Sequence, residues 1–268
     1  MIIEGLVDNT LYHYTDLDAF INIINNNELW LTHYADVEDT KEIKFGYEII
    51  QSELNKRFSA LLDNKLSGII FNVHKIMPEQ YFFCTCPDKE NEHLWKNYAN
   101  NHSGVAIGFD AEFFARKFTP SKLFSTVANI TPVNYDLENF REIVIQEVSK
   151  LKIPAFYVVN VPNTAEQLNR IPYYAETKEG IISCCVKALL LKAPIYSIEN
   201  ETRLLHDIRM HIPILIEERY GKRRAILRFE KLPIKAVILG KNMPKKSVSI
   251  IEKALCDNKL DIKVYYGA

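Results

Sequence analysis

The stretch from Leu191 to Leu205, LKAPIYSIENETRLL, constrains this chain most, because it sets Glu199, Glu201 and Arg203 at alternate positions inside apolar surroundings. A β-strand over 196–205 would send those three to one face and Ile198, Asn200, Thr202 and Leu204 to the other, whereas a helix would scatter them. Two carboxylates about 7 Å apart along one strand repel each other. A guanidinium one step further on is the natural neutralising partner, keeping both carboxylates ionised. The pattern fits a salt-bridged solvent face or a catalytic edge.

Composition narrows the classes. The chain has 268 residues, 47% of them hydrophobic, which is ample for a core, and 33 basic against 34 acidic residues give a net charge of -1. That balance supplies no global field toward nucleic acid or anionic membrane. No apolar run reaches the roughly 18 residues of a spanning helix, and Glu4 sits where a secretory leader would carry a basic flank. The expectation is a soluble protein made in a cytoplasm. Five cysteines, including Cys84 and Cys86 and the adjacent Cys184 and Cys185, suit reduced, mostly buried thiols rather than a disulfide framework. HExxH and CxxC are both missing, so no metal site is expected. The glycines form neither GxGxxG nor GxxxxGK[ST], which sets aside Rossmann dehydrogenases and P-loop enzymes.

Periodicity places the elements. Leu11-Tyr12-His13-Tyr14-Thr15 alternates as a strand with Leu11, His13 and Thr15 on one face, and Thr15 or Asp16 caps a helix with a buried Leu17, Phe20, Ile21 and Ile24 stripe. A strand follows at 29–31 and a helix at 43–63, then a buried strand at 81–85 and a short helix at 90–100. That helix carries Trp95 and Tyr98, at i and i+3 and so on one face. Further strands are expected at 104–109, 128–135, 225–229, 234–239 and 261–266, and helices at 137–150, 177–191 and 246–256, around an irregular 153–172. No repeat or linker marks a boundary, so 1–268 reads as one mixed domain.

With these elements in order, the blocks LYHYT, FFCTCP, HLWKNYANNHSGVAIGFD and ENETRLL resemble the bacterial DUF2971 family, over about residues 11 to 205. The same arrangement is similar to the ADP-ribosyltransferase superfamily. In that superfamily a first-strand His-x-Thr or arginine holds NAD, a middle strand supplies a serine or tyrosine element, and a later strand carries the key glutamate. Cys84-Thr85-Cys86 stands where arginine-specific toxins of that superfamily have Ser-Thr-Ser. The resemblance implies an α+β fold with a split β-sheet core and flanking helices, with NAD as substrate. His13 and Thr15 would hold a ribose of NAD, Glu201 would be the catalytic glutamate, and Glu199 would handle the acceptor. Trp95 or Tyr98 would stack on nicotinamide. His13, Thr15, Glu199 and Glu201 would face one cleft, from neighbouring strands of one sheet.

The implied activity is mono-ADP-ribosylation of a protein target, with arginine as one acceptor. The implied settings are toxin, effector or antiphage defence protein, delivered into another cell without a recognisable signal peptide or kept beside an antidote. NAD glycohydrolysis by the same glutamate is the enzymatic alternative. A noncatalytic binding module, with Glu199, Glu201 and Arg203 as an ordinary ion network, is the alternative from another class.

Overall fold

A computed structural model of the chain describes residues 9–37, 40–59, 79–117, 130–151, 174–207 and 215–267. The expected irregular segment 153–172 lies outside them. The chain packs as two compact units: Met1–Asp36, Tyr81–Val133 and Ile195–Ala268 form the first, and Val37–Gln80 with Asn134–Pro194 the second.

The first unit holds both sheets. Strand β1 (Thr10–Thr15) leads to helix α1 (Leu17–Asn26) and strand β2 (Glu28–His33). Asp16 accepts a bond from the Ala19 amide at the start of α1, and Asn27 ends the helix in the left-handed region at φ 53°, a conformation asparagine tolerates better than most residues. Strand β3 (Gln80–Thr85), helix α3 (Glu92–Asn97), strand β4 (Val105–Asp110) and helix α4 (Ala111–Lys117) follow, then β5 (Ile130–Pro132). After an excursion into the second unit come β6 (Thr202–Asp207), β7 (Leu215–Arg219), β8 (Lys222–Arg228), β9 (Ile234–Leu239), helix α7 (Lys245–Asp257) and β10 (Lys263–Tyr266). One sheet has the order β1-β4-β9-β10 and the other β5-β6-β3-β2-β8-β7. The expected α+β class holds.

Strand alternation makes two cores. Val105, Ile107, Phe109, Val237 and Leu239 of the first sheet pack with Leu29, Leu31, Tyr81, Phe83, Leu204, Ala225 and Leu227 of the second, and with Phe20, Ile24, Ile251 and Leu255 of α1 and α7. The opposite face of the first sheet contributes Tyr14, Ala106 and Ile238 to a smaller core with Cys86 and with Leu94, Trp95 and Ala99 at α3. Gly104 lets β4 start close to its neighbours: a Cβ there would collide with the backbone oxygens of Thr15 and Ala99.

The second unit contains helices α2 (Thr40–Ser59), α5 (Leu137–Lys150) and α6 (Tyr174–Ala188). Gly46 of α2 stands so near Ala188 of α6 that a Cβ on it would lie 2.8 Å from the alanine Cβ, closer than two carbons pack. Phe140, Val144 and Val148 line the buried side of α5, the spacing of a single helical stripe.

Two expectations need correction. The stretch over 196–205 is not one strand: Pro194–Glu199 is a 3-10 helix, Asn200 turns left-handed at φ 46°, and β6 begins only at Thr202. Proline cannot donate to a ladder and asparagine accepts positive φ, so the segment coils before it extends. Nor do β1 and the glutamate stretch share a sheet. β1 lies in the four-stranded sheet and β6 in the six-stranded one. The two sheets touch where Tyr12 bridges Cys86, each amide donating to the other's carbonyl at 2.7 and 2.8 Å.

Candidate functional site

Both glutamates are buried, at 5% exposure for Glu199 and 6% for Glu201, and each is held differently. Glu201 precedes β6 and its carbonyl accepts the Val133 amide at 2.9 Å. Its carboxylate receives Arg203 side-on, Nε at 2.7 Å on Oε1 and Nη2 at 3.1 Å on Oε2. This fork matches guanidinium to carboxylate geometry. The guanidinium also lies 4.5 Å over the Phe82 ring, a cation on the negative face of an aromatic. Arg203 thus takes the structural role its position in the sequence suggested, toward Glu201.

Glu199 closes the 3-10 turn, and helix α3 holds that turn. Asn91 caps α3, its Oδ1 accepting from the Leu94 amide at 3.1 Å, while its Nδ2 donates to the Ile198 carbonyl at 2.7 Å. One side chain therefore fixes a helix start and the turn beside it. Tyr98, at the other end of α3, points its hydroxyl at Glu199 Oε1 from 3.5 Å, the long end of hydrogen bonding. His93 Nε2 stands 3.8 Å from the same oxygen, its ring one-third exposed. Tyr98 is 49% exposed, and Ile195 and Ile198 of the turn are exposed as well. The glutamate is buried, but its surroundings open to solvent on the Tyr98 side.

The other sequence-based candidates divide. Trp95 is fully buried between Tyr14, edge-on at 5.1 Å, and His102, stacked at 6.0 Å, and its indole donates to the Lys89 carbonyl. It has no face left for nicotinamide. The stacking expectation fails for Trp95 because the side of α3 that carries it covers the first sheet, whereas Tyr98 caps the helix at its exposed end.

His13 and Thr15 do not join the glutamates. Alternation puts both on the face of β1 opposite Tyr12 and Tyr14. His13 lies against Phe83 of the inter-sheet core, rings 4.2 Å apart, with Nδ1 2.9 Å from the Cys84 carbonyl oxygen. Tyr14 and Cys86 face α3 instead, as the smaller core records. Tyr14 bonds the Asp88 carbonyl and receives the Asn91 amide. The helix that meets Glu199 is on that side. The expected common cleft is therefore absent in this arrangement: a period of two separates neighbours on one strand by a whole sheet thickness.

Burial lowers His13 to a pKa of about 4, only partly offset by its bond to the Cys84 carbonyl, so the ring is neutral at pH 7. The tautomer protonated on Nδ1 donates that bond and leaves Nε2 as an acceptor. Burial also pushes the Cys86 thiol up to about 11, with the carboxylates of Asp88 and Glu201 adding to the shift. Cys86 is thus an inert thiol at pH 7. Cys184 and Cys185 are buried and Cys84 and Cys256 exposed, all five free. Among the described residues no three His, Cys, Asp or Glu side chains are grouped to hold a metal, and no helix is long and apolar enough to cross a membrane.

Sequence reasoning missed His93 and Asn91. Asn91 carried a readable signal, an asparagine three residues before Leu94 at a helix start. His93 carried none, because its partner lies 106 positions away on a turn read as a strand.

The fold and site define a mixed α+β protein with a buried pair of glutamates beside a short, aromatic-bearing helix. The chain matches the model of the DUF2971 family, described as protein of unknown function, over residues 94–204. That span includes Trp95, Tyr98, Glu199 and Glu201 and leaves His13, Thr15 and the Cys84-Thr85-Cys86 block outside it. Neither the curated proteins nor the solved structures gave a match.

Proposed function

We propose that this protein cleaves NAD at the nicotinamide–ribose bond and transfers the ADP-ribosyl group to a macromolecular acceptor. The observation that carries the reading is strand adjacency. The late strand β6, entered through Glu199-Asn200-Glu201, neighbours the middle strand β3, and β3 reaches β1 across the Tyr12–Cys86 bridge where the two sheets part. First, middle and late strands thus follow one another across a split, the arrangement the superfamily resemblance implies.

The chemistry follows from the charge that develops. Nicotinamide departs through an oxocarbenium-like state, and a fixed carboxylate near ribose C1′ favours that state over bound NAD. Glu201 fills this role in the proposal, with Arg203 holding both its oxygens in place. The half-exposed Tyr98 ring offers a stacking face for nicotinamide, and Glu199 stands on the acceptor side. His13 takes no part through its side chain.

A noncatalytic module is the second reading, and one observation favours it: a fully buried, bidentate Glu201–Arg203 pair is also what a purely structural ion pair looks like. Incubating the protein with NAD and cell lysate, and measuring nicotinamide by chromatography, separates the two. Transfer chemistry predicts release that falls on the order of a hundredfold in Glu201→Gln at unchanged NAD affinity. Equal release from both proteins removes Glu201 from catalysis, and none from either favours the module.

A further inference from the structure

We infer that His93 is the general base of this site, oriented by Glu199, and that the acceptor is consequently a hydroxyl group rather than an arginine. The inference rests on the transfer reading given above. Three observations point to it. His93 Nε2 faces Glu199 Oε1 at 3.8 Å, the same oxygen that Tyr98 approaches at 3.5 Å, so imidazole, carboxylate and the candidate stacking ring converge on one point. The glutamate is buried while the imidazole is one-third exposed. A charge fixed in the protein thereby backs a base that reaches solvent, and with it an incoming acceptor. Finally, the turn carrying Glu199 is tied to the helix carrying His93 through Asn91, which holds the Leu94 amide and the Ile198 carbonyl together. The two halves of the dyad are set by one side chain.

The 3.8 Å separation is longer than a hydrogen bond, as catalytic contacts often are before substrate binds, and a rotation of either side chain closes it. When it closes, Glu199 takes the Nε2 proton as a hydrogen bond and leaves the Nδ1 lone pair as the proton acceptor. The step then balances. The acceptor oxygen forms a bond to ribose C1′ as the C1′–nitrogen bond breaks. That bonding pair returns to the pyridinium ring, which leaves as neutral nicotinamide, and the acceptor's proton moves to Nδ1 and on to solvent.

The acceptor class follows from proton affinity. A guanidinium holds its proton with a pKa above about 12, far beyond what an imidazole removes before attack. A hydroxyl needs only to lose its proton as its oxygen bonds, which is the work a histidine–carboxylate dyad does. Water satisfies the same requirement, so hydrolysis of NAD is the basal reaction of such a site.

The test uses the full chain, NAD, and water as acceptor. His93→Ala is expected to lower nicotinamide release on the order of a hundredfold while NAD affinity, measured by calorimetry, is unchanged. Added imidazole is expected to restore much of the loss, which a misfolded or merely rearranged variant would not allow. His93→Asn, which keeps polarity and size, is expected to lose the same activity. If wild type releases nicotinamide and His93→Ala matches it within about twofold, the base assignment fails and the transfer reading stands. A loss that imidazole does not relieve also overturns it. If wild type releases nothing from NAD with water or lysate, both readings fail together. Labelled ADP-ribose recovered on arginine, by mass spectrometry of modified lysate proteins, would overturn the hydroxyl acceptor alone.

Discussion

Glu199 and Glu201 are two residues apart and equally buried, yet they are held in opposite ways. Glu201 is locked by both nitrogens of a buried arginine, which itself sits on an aromatic face. Glu199 faces a tyrosine hydroxyl at 3.5 Å and a one-third-exposed imidazole at 3.8 Å. The difference teaches that burial alone does not define a working carboxylate. A carboxylate locked by a buried guanidinium is organised in advance and adds to the fold, while one approached by a half-exposed tyrosine and a partly exposed histidine stands where a ligand can reach it. Helix α3 repeats the contrast in its aromatics, with Trp95 inside and Tyr98 outside.

The largest effect that would break this comparison comes from the lock. Arg203→Met leaves the Glu201 charge buried without its partner and should cost about 3–5 kcal/mol of stability, read from the midpoint of urea denaturation. Glu201→Gln strands the arginine in turn, so its stability should be measured together with its activity. If Arg203→Met costs no more than a surface substitution, Glu201 is not locked in solution.

Next come the two aromatics. Trp95→Ala should lose about 3–5 kcal/mol through the cavity it leaves, whereas Tyr98→Ala, at an exposed position, should stay within about 1 kcal/mol. A large thermal destabilisation by Tyr98→Ala would assign Tyr98 to the core instead.

His13 supplies a prediction in pH. Its folded pKa, about 4, lies below the unfolded value of 6.5, so on acidification the unfolded chain takes up this proton first. Native stability is therefore free of the penalty above pH 6.5, loses ground as pH falls toward about 4, and levels off below. The total is on the order of 3 kcal/mol. Carboxylates titrate in the lower part of this window, so the readout is the difference between wild type and His13→Gln. Denaturation midpoints of the two that run parallel from pH 7 to 4 would contradict a desolvated His13.

The smallest effect belongs to Glu199→Gln, expected to change stability by less than about 1 kcal/mol, since glutamine keeps the shape of the side chain and can still accept from the Tyr98 hydroxyl. A loss matching that of Arg203→Met would erase the distinction between the two glutamates.

By itself the sequence determined the local elements and the identity of the charged pair. The strands at 11–15 and 234–239, the Leu17-Phe20-Ile21-Ile24 stripe and the Asp16 cap all reappear, because each depends on neighbours within a few residues. The Glu201–Arg203 contact was legible for the same reason: two positions apart in extended chain, both side chains share a face. Tertiary structure alone decided the rest. The turn at Asn200 broke the strand that would have aligned Glu199 with Glu201, and the split between the sheets put His13 against Phe83 while Glu199 turned to α3. Helix packing chose which of Trp95 and Tyr98 stays in contact with solvent, and brought His93 to a glutamate 106 residues away. Short-range periodicity fixes which face a side chain takes on its own element, but what lies opposite that face depends on contacts no local pattern encodes.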